Sequence, residues 1–161
     1  TLKERCMSVF GKDEAAIGKF AASLPLPEFP PCSFNTPKPL HAAKVAIVTT
    51  AALHQEGGGF ELGDSDYHYE TLPSSARNLK LGHHSVNFDR GGFAADINVV
   101  YPIDRLEELA DSGVIGGVSE NHYAFAGNQS ATVSEIRLDS GPQCAQAMLE
   151  DGVDIVLLTG T

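Results

Sequence analysis

Apolar residues along this chain fall into short runs, and the spacing within each run predicts its conformation. Lys44 to Thr50, "KVAIVTT", is apolar on both faces, as a central strand of a parallel sheet is. Val153 to Leu158 repeats that pattern directly after Gly152, a natural helix stop. "LKLGHHSV" at 79–86 and "INVVYPI" at 97–103 read as two further strands. Helical signals lie between them. Glu14 to Ser23 predicts a short helix with Asp13 and Glu14 at its start. Asp104 predicts an N-cap, and Glu107 three residues on completes a capping box. Leu106, Leu109 and Ala110 form the inner face of that helix, and Gly113 ends it. Residues 132–139 and 142–150 predict helix, kinked or separated at Gly141–Pro142, because proline suits a first turn and not an interior. Between these, "GGFAAD" reads as a turn or loop, and 114–127 as a loop with one short strand.

Strands alternating with helices predict an α/β fold: an open, mostly parallel sheet with flanking helices, Rossmann-like or doubly wound. Residues 1–43 read as an N-terminal helix and a proline-rich arm. The stretch "LPLPEFPPCSFNTPKP" at 24–39 carries six of the nine prolines and can form no regular element. Residues 44–161 read as the α/β domain, broken off at its last strand and so the N-terminal part of a larger domain. The loop at 51–75 is long and rich in Gly, Asp and aromatic residues, a profile associated with function.

Composition narrows the partners. With 11 Lys and Arg against 21 Asp and Glu, the net charge of −10 argues against nucleic acid, which needs clustered cations. An apolar content of 42% suits a soluble domain, and no run reaches the length of a membrane span. No basic-then-apolar leader opens the sequence. Cys6, Cys32 and Cys144 are odd in number and far apart, which points to idle thiols in a reducing cytoplasm.

Candidate chemistry is sparse. "GGG" at 57–59 follows a strand but lacks the remainder of a phosphate loop, so a flexible turn is the better reading. His54, His68, His83, His84 and His122, with Asp64, Asp66 and Asp89, offer metal-ligand types without a metal-binding spacing. The competing reading is a polar pocket of histidine–carboxylate pairs, His84 with Asp89 among them. No serine sits in a GxSxG elbow. Cys144 matches Met148 at helical spacing on a core face, so nothing activates it.

Three stretches nevertheless carry a resemblance: "KVAIVTTAALHQEGGGFELGDSDYHY", "GHHSVNFDRGGFAADINVVYPIDRLEELADSGVIGGVSENHYAFAG" and "MLEDGVDIVLLTGT". Together they resemble the glycine/sarcosine/betaine reductase selenoprotein B family, and within it the selenoprotein subunits of D-proline reductases. The resemblance runs from Lys44 to Thr161. It implies a selenol- or thiol-dependent oxidoreductase that cleaves a C–N bond alpha to a carboxylate. The nucleophilic selenocysteine or cysteine would stand just beyond Thr161, on the turn Thr159–Gly160–Thr161. The chain itself would hold no cofactor or metal; a pyruvoyl group on a partner subunit and a dithiol reductant are implied. His54, Asp64, His84 and Asp89 are the assisting residues carried over, with His83 competing for the place of His84. A substrate carboxylate wants a cation, and Arg77, Arg90 and Arg105 are the candidates. The "GGG" and the thinned basic residues depart from the family pattern, leaving D-proline itself open as substrate. The alternative is a non-catalytic assembly subunit whose proline arm clasps a neighbour, and a third reading is a metal-dependent enzyme. A truncated open sheet leaves a bare strand edge or an uncovered face, so association with itself or with another chain, through 153–158 or 24–39, is expected.

Overall fold

A computed structural model describes residues 14–23, 35–61, 66–83, 90–127, 129 and 133–160. The chain divides into compact units at residues 1–32 and 33–161. In the first, Glu14–Ala22 forms helix α1. In the second, the elements in chain order are β1 (Lys44–Thr49), β2 (Leu53–His54), β3 (Tyr69–Pro73), β4 (Lys80–Leu81), α2 (Arg90–Ala95), α3 (Ile103–Asp111), β5 (Gly117–Val118), β6 (Asn121–Phe125), α4 (Gly141–Glu150) and β7 (Ile155–Thr159).

Every parallel pairing uses β1. On one side it pairs with β7 over five residues, from Val45↔Ile155 to Thr49↔Thr159. On the other it meets β5 at its start and β6 at its end, both parallel. β3 then closes that side, antiparallel to β6. Alternation along β1 and β6 separates two cores. Val45, Ile47 and Ala124 face Ile103 and Leu106 of α3. Val48, Tyr123 and Phe125 face Cys144, Ala147 and Met148 of α4. Helices therefore cover both faces of a mostly parallel sheet, the predicted α/β class. The path from β6 to β7 crosses over β1, so the strand order reverses there.

Several local expectations are corrected. Of the strand expected at 79–86, residues 84–86 lie outside the described residues; among 79–83 only Lys80–Leu81 pairs, and it does so with β2 in a separate ribbon. Residues 97–103 are not a strand: Ile97–Val99 is a 3-10 turn capped by the Asp96 carboxylate, which accepts the Asn98 N–H at 2.9 Å. α3 starts at Ile103, not after Asp104. Asn98 takes over the capping, its Oδ1 accepting the Asp104 N–H at 3.1 Å while its Nδ2 donates to the Asp104 carboxylate. Glu107, expected in a capping box, instead accepts from Arg77 at 2.7 Å. The buried face of α3 is Ile103 and Leu106, and Leu109 is exposed. "GGFAAD" contributes to α2 rather than to a loop. The stretch 114–127 holds two strands, not one. The helix stops at Gly113 and Gly152 stand, with φ of +73° and +71°.

Of the kink or separation expected at Gly141–Pro142, the structure shows no separation: the helix bends continuously through it. Ile136–Ser140 is a π-turn that runs straight into α4. Proline has no N–H to give, and a wider turn absorbs the missing bond. The Gly141 N–H reaches Ile136 O across the turn. A Cβ on Gly141 would lie 2.4 Å from that same oxygen.

The β5–β6 break creates a second local problem. After Ser119 donates to Val45 O, the chain turns at Glu120 and leaves the Ile47 N–H without a backbone acceptor. His122 fills the gap: its Nδ1 accepts the Ile47 N–H at 2.9 Å in a fully buried position. This bond fixes the tautomer with the proton on Nε2. Tyr101 stands edge-on to the imidazole, ring centroids 5.5 Å apart. Burial, and secondarily the Arg77 charge, pushes the imidazole down to about 4.

Two outcomes follow for stability. Unfolded His122 titrates near its ordinary value of about 6.5. Its neutral folded form therefore contributes fully above that pH, and the contribution is lost as pH falls from about 6.5 to about 4. The loss totals about 3 kcal/mol. Urea midpoints measured across that window should fall more steeply for the wild type than for His122→Gln, and parallel curves would refute the assignment. Gly141→Ala should cost ~2 kcal/mol by forcing the π-turn open, measured by thermal unfolding.

Candidate functional site

The carboxyl ends of β1, β6 and β7 lie on one rim. In open α/β sheets, sites form there, where strand order reverses. The rim is held by backbone bonds between neighbouring strand ends. Thr50 N–H donates to Thr159 O at 3.0 Å, and Ala52 N–H donates to Phe125 O at 3.0 Å. The Thr159 hydroxyl donates to Val100 O at 2.8 Å, tying β7 to the 3-10 turn before α3. Ala52 adopts φ +54°, an uncommon conformation for a residue with a Cβ. It is held there by the Phe125 bond and by the Gly82 N–H on its own carbonyl.

On the β3 side of this rim stands a histidine between two carboxylates. Asp66 is buried; one oxygen takes the Glu61 N–H and the other the His68 Nδ1–H. The Asp66 carbonyl accepts from the Gln129 amide, which also reaches Ala126 O at the end of β6. His68 Nε2 lies 3.7 Å from Glu70 Oε1. Glu70 accepts the Gly59 N–H at 2.9 Å. Phe60 stacks on His68 with centroids 4.7 Å apart, and His54 meets the same ring edge-on at 6.5 Å.

"GGG" is the clamp that makes this possible. Gly57 and Gly59 have φ of +90° and +147°. A Cβ on Gly58 would lie 2.7 Å from Glu70 Oε1. The turn cradles a protein carboxylate, not a phosphate.

Of the residues carried over from sequence, His54 is on the rim, its Nδ1 2.8 Å from Gln55 O. Thr159 and Gly160 are there too, and Gly160 faces open space. Asp64, His84, Asp89 and Thr161 lie outside the described residues. His83 is described, as the residue whose carbonyl accepts from Arg90 at 3.2 Å. Asp66, His68 and Glu70 were not singled out as a unit. Their signal is a period of two in "DYHYE", which sets the three on one side of an extended chain. Tyr69, alternating with them, packs on Tyr123 and Phe125.

The remaining candidates are occupied. Arg77 pairs with Glu107 and Asp104, which raises its already high pKa, the Glu107 hydrogen bond most. Arg105 pairs with Glu108 on an exposed turn of α3. A groove of about 610 Å³ beside Gln55, Glu56 and Ser75–Lys80 has its Lys80 and Glu56 charges paired with each other. Cys144 is buried in the α4 core as expected, and burial pushes its thiol up to about 11. Among the described residues no group of three His, Cys, Asp or Glu is arranged for a metal. No described helix is long and apolar enough to cross a membrane.

Comparison with known proteins places this rim in a family. The sequence profile of the glycine/sarcosine/betaine reductase selenoprotein B family matches residues 14–161. The D-proline reductase subunit gamma of Acetoanaerobium sticklandii is 31% identical over 133 residues, covering 81% of this chain and 53% of that protein. The glycine reductase complex component B subunit gamma of Carboxydothermus hydrogenoformans is 28% identical over 148 residues, covering 88% and 34%. The sarcosine reductase complex component B subunit beta of Peptoclostridium acidaminophilum is 27% identical over 150 residues, covering 89% and 34%. The chain thus spans between a third and about half the length of these relatives. No solved structure matches it. With the profile covering nearly its whole length, the chain belongs to the glycine/sarcosine/betaine reductase selenoprotein B family.

Proposed function

We propose that this chain is the part of a reductase subunit that builds the catalytic rim, for reductive cleavage of a C–N bond alpha to a carboxylate. The observation that carries this reading is the anchoring of Thr159. Its carbonyl is bonded to the end of β1 and its hydroxyl to Val100, so the turn leaving β7 starts from a fixed point beside the strand-order reversal. The selenol or thiol would be presented on that turn, directly beyond Thr161. A selenolate is ionised at neutral pH and polarisable, so it attacks carbon without a dedicated base. His54, at the same rim, would orient the substrate's carboxylate. Asp64, His84 (or His83) and Asp89 keep the supporting roles that the resemblance implies. The pyruvoyl group and the dithiol would come from a partner subunit and from the cytoplasm, respectively.

A second reading, an assembly role, is favoured by β7 itself. Among the described residues it pairs with β1 alone, and Leu158 is 74% exposed while Val156 and Leu157 are 37% exposed. An apolar strand edge of this kind invites another strand.

The assembled complex, reduced with a dithiol, should convert at least one of D-proline, glycine, sarcosine or betaine to a C–N cleavage product detected by mass spectrometry. Alkylation with iodoacetamide after reduction should abolish it. Light scattering that shows assembly, with no dithiol-dependent cleavage of any of the four, would leave the assembly role standing alone. Thr159→Val should keep the fold within about 1.5 kcal/mol, the value of one hydrogen bond. It should lower kcat of the complex by roughly tenfold or more, as misplacement of a reacting group does.

A further inference from the structure

We propose that Asp66 and His68 are the proton-transfer pair of this rim, with His68 delivering the proton to the leaving nitrogen. The assignment rests on the reductase reading above. Its basis is the orientation of one ring. Asp66 takes the Nδ1–H and is itself immobilised by the Glu61 N–H, by burial, and by the Gln129 amide on its carbonyl. Phe60 fixes the plane of the ring at 21°. What remains is Nε2, and at 3.7 Å from Glu70 it is too far for a hydrogen bond. The side chain is 46% exposed, so this nitrogen can meet both a substrate and solvent. A buried carboxylate behind a half-exposed imidazole is the arrangement that general acid–base catalysis uses.

The other described histidines fit this role less well. His54 sets its Nδ1 against a neighbouring carbonyl and has no carboxylate behind it. His122 is fully buried and spends its Nδ1 on Ile47. His41 lies in the 3-10 turn before β1, and His83 follows β4, where its carbonyl accepts from Arg90. Position supports His68 as well. It directly precedes β3, whose Tyr69 pairs with Phe125 at the carboxyl end of β6. Three strand spacings separate β3 from β7, about 14 Å at the usual interval. An amino-acid substrate and two side chains reaching from opposite ends span that distance.

The step balances as follows. The selenolate or thiolate gives its electron pair to the α-carbon, and the C–N bond breaks with its pair moving to nitrogen. Nitrogen, in a substrate where it is not quaternary, takes the proton from Nε2 of the doubly protonated ring. The ring is left neutral, its Nδ1–H still on Asp66. The dithiol then supplies two electrons and a proton to break the new carbon–chalcogen bond, and becomes a disulfide. Solvent reprotonates Nε2. Among the described residues the charged groups facing the ring are Asp66 and Glu70, with Glu61 attached to Asp66 through its N–H.

Two measurements test this. In the assembled complex, His68→Gln should lower kcat by roughly 10²-fold or more with KM changed less than about threefold, and added imidazole should restore part of the activity of His68→Gly. Separately, ¹⁵N NMR of the chain alone should show His68 protonated at Nδ1 in the wild type, and that preference should disappear in Asp66→Asn. Because His68 is half-exposed, His68→Gln will fold even if Asp66→Asn does not. Wild-type kcat in His68→Gln, or no imidazole rescue, overturns the role of His68. An Nδ1-unprotonated ring in the wild type overturns the pair. A wild-type complex that cleaves none of the substrates overturns the reductase reading and the catalytic role with it, while the NMR result still decides whether Asp66 holds the ring.

Discussion

The bond from the Ile47 N–H to the His122 imidazole is the constraint on which this sheet turns. A central parallel strand must satisfy its backbone on both sides, because no water reaches it. β7 satisfies one side of β1 without interruption. The other side is served by two short strands with a turn between them. A ring nitrogen from the second strand replaces the missing carbonyl, and β1 keeps its register with β7 through the gap. Had the gap been left open, the buried N–H would cost about 1–3 kcal/mol and the strand would have reason to bulge. Everything at the carboxyl rim is placed relative to the end of β1: Thr50 on Thr159, Ala51 on Ala126, Ala52 on Phe125.

The two ends of the sheet are built differently. The amino end is closed by reciprocal polar bonds. The Asp151 carboxylate accepts from Asn121 and from the Tyr123 hydroxyl, while its carbonyl accepts from the Lys44 ammonium at 2.7 Å. The Asp154 carboxylate accepts the Lys44 N–H and pairs with Lys38, and these contacts, the backbone one first, hold its pKa below the ordinary range. The carboxyl end is of another kind: among the described residues it holds a histidine nitrogen without a hydrogen bond, and Ala52 sits there at positive φ. Local strain and uncommitted polar groups persist where surrounding structure over-determines them. The polar staple at the amino end leaves the rim free to carry groups that do not stabilise the fold.

The parts of the fold legible in the sequence were those with an uninterrupted apolar period. β1 is such a run and is buried in the sheet; β7 is such a run and forms the strand, but Val156, Leu157 and Leu158 stand exposed where a buried strand was expected; Cys144 with Met148 shares a helical face. The misread elements are those where side chains did the work of the backbone. Asn98 caps Asp104 from six residues away, and a capping-box pattern cannot reveal that Glu107 is drawn off to Arg77, thirty positions earlier. His122 looked like one more candidate ligand, because nothing local says that a strand has broken two residues before it. The site was half legible for the same reason. His54 and the Thr159 turn follow directly from strand ends. The Asp66–His68–Glu70 array needed a period-two reading of a segment that looked like a loop, and the clamp at Gly57–Gly59 made sense only once Glu70 was seen to fill it.

Burial also explains why no nucleophile was found among the residues in view. A thiol becomes reactive as its thiolate, and an apolar surrounding opposes that charge. Cys144 shows the effect, its thiol raised by the same α4 core that holds the sheet together. In the proposed reaction a soft nucleophile would sit where water or backbone N–H groups can support an anion, and the interior of a doubly covered sheet excludes both. On the proposed reading the turn leaving β7 is that place: it begins at a strand end fixed by two hydrogen bonds, and among the described residues nothing lies within 4 Å of where a Cβ on Gly160 would stand. On that reading an inert sulfur packed on the face of the sheet and a reactive group beyond a strand end differ in their access to water, and the order of strands about β1 decides where that end lies.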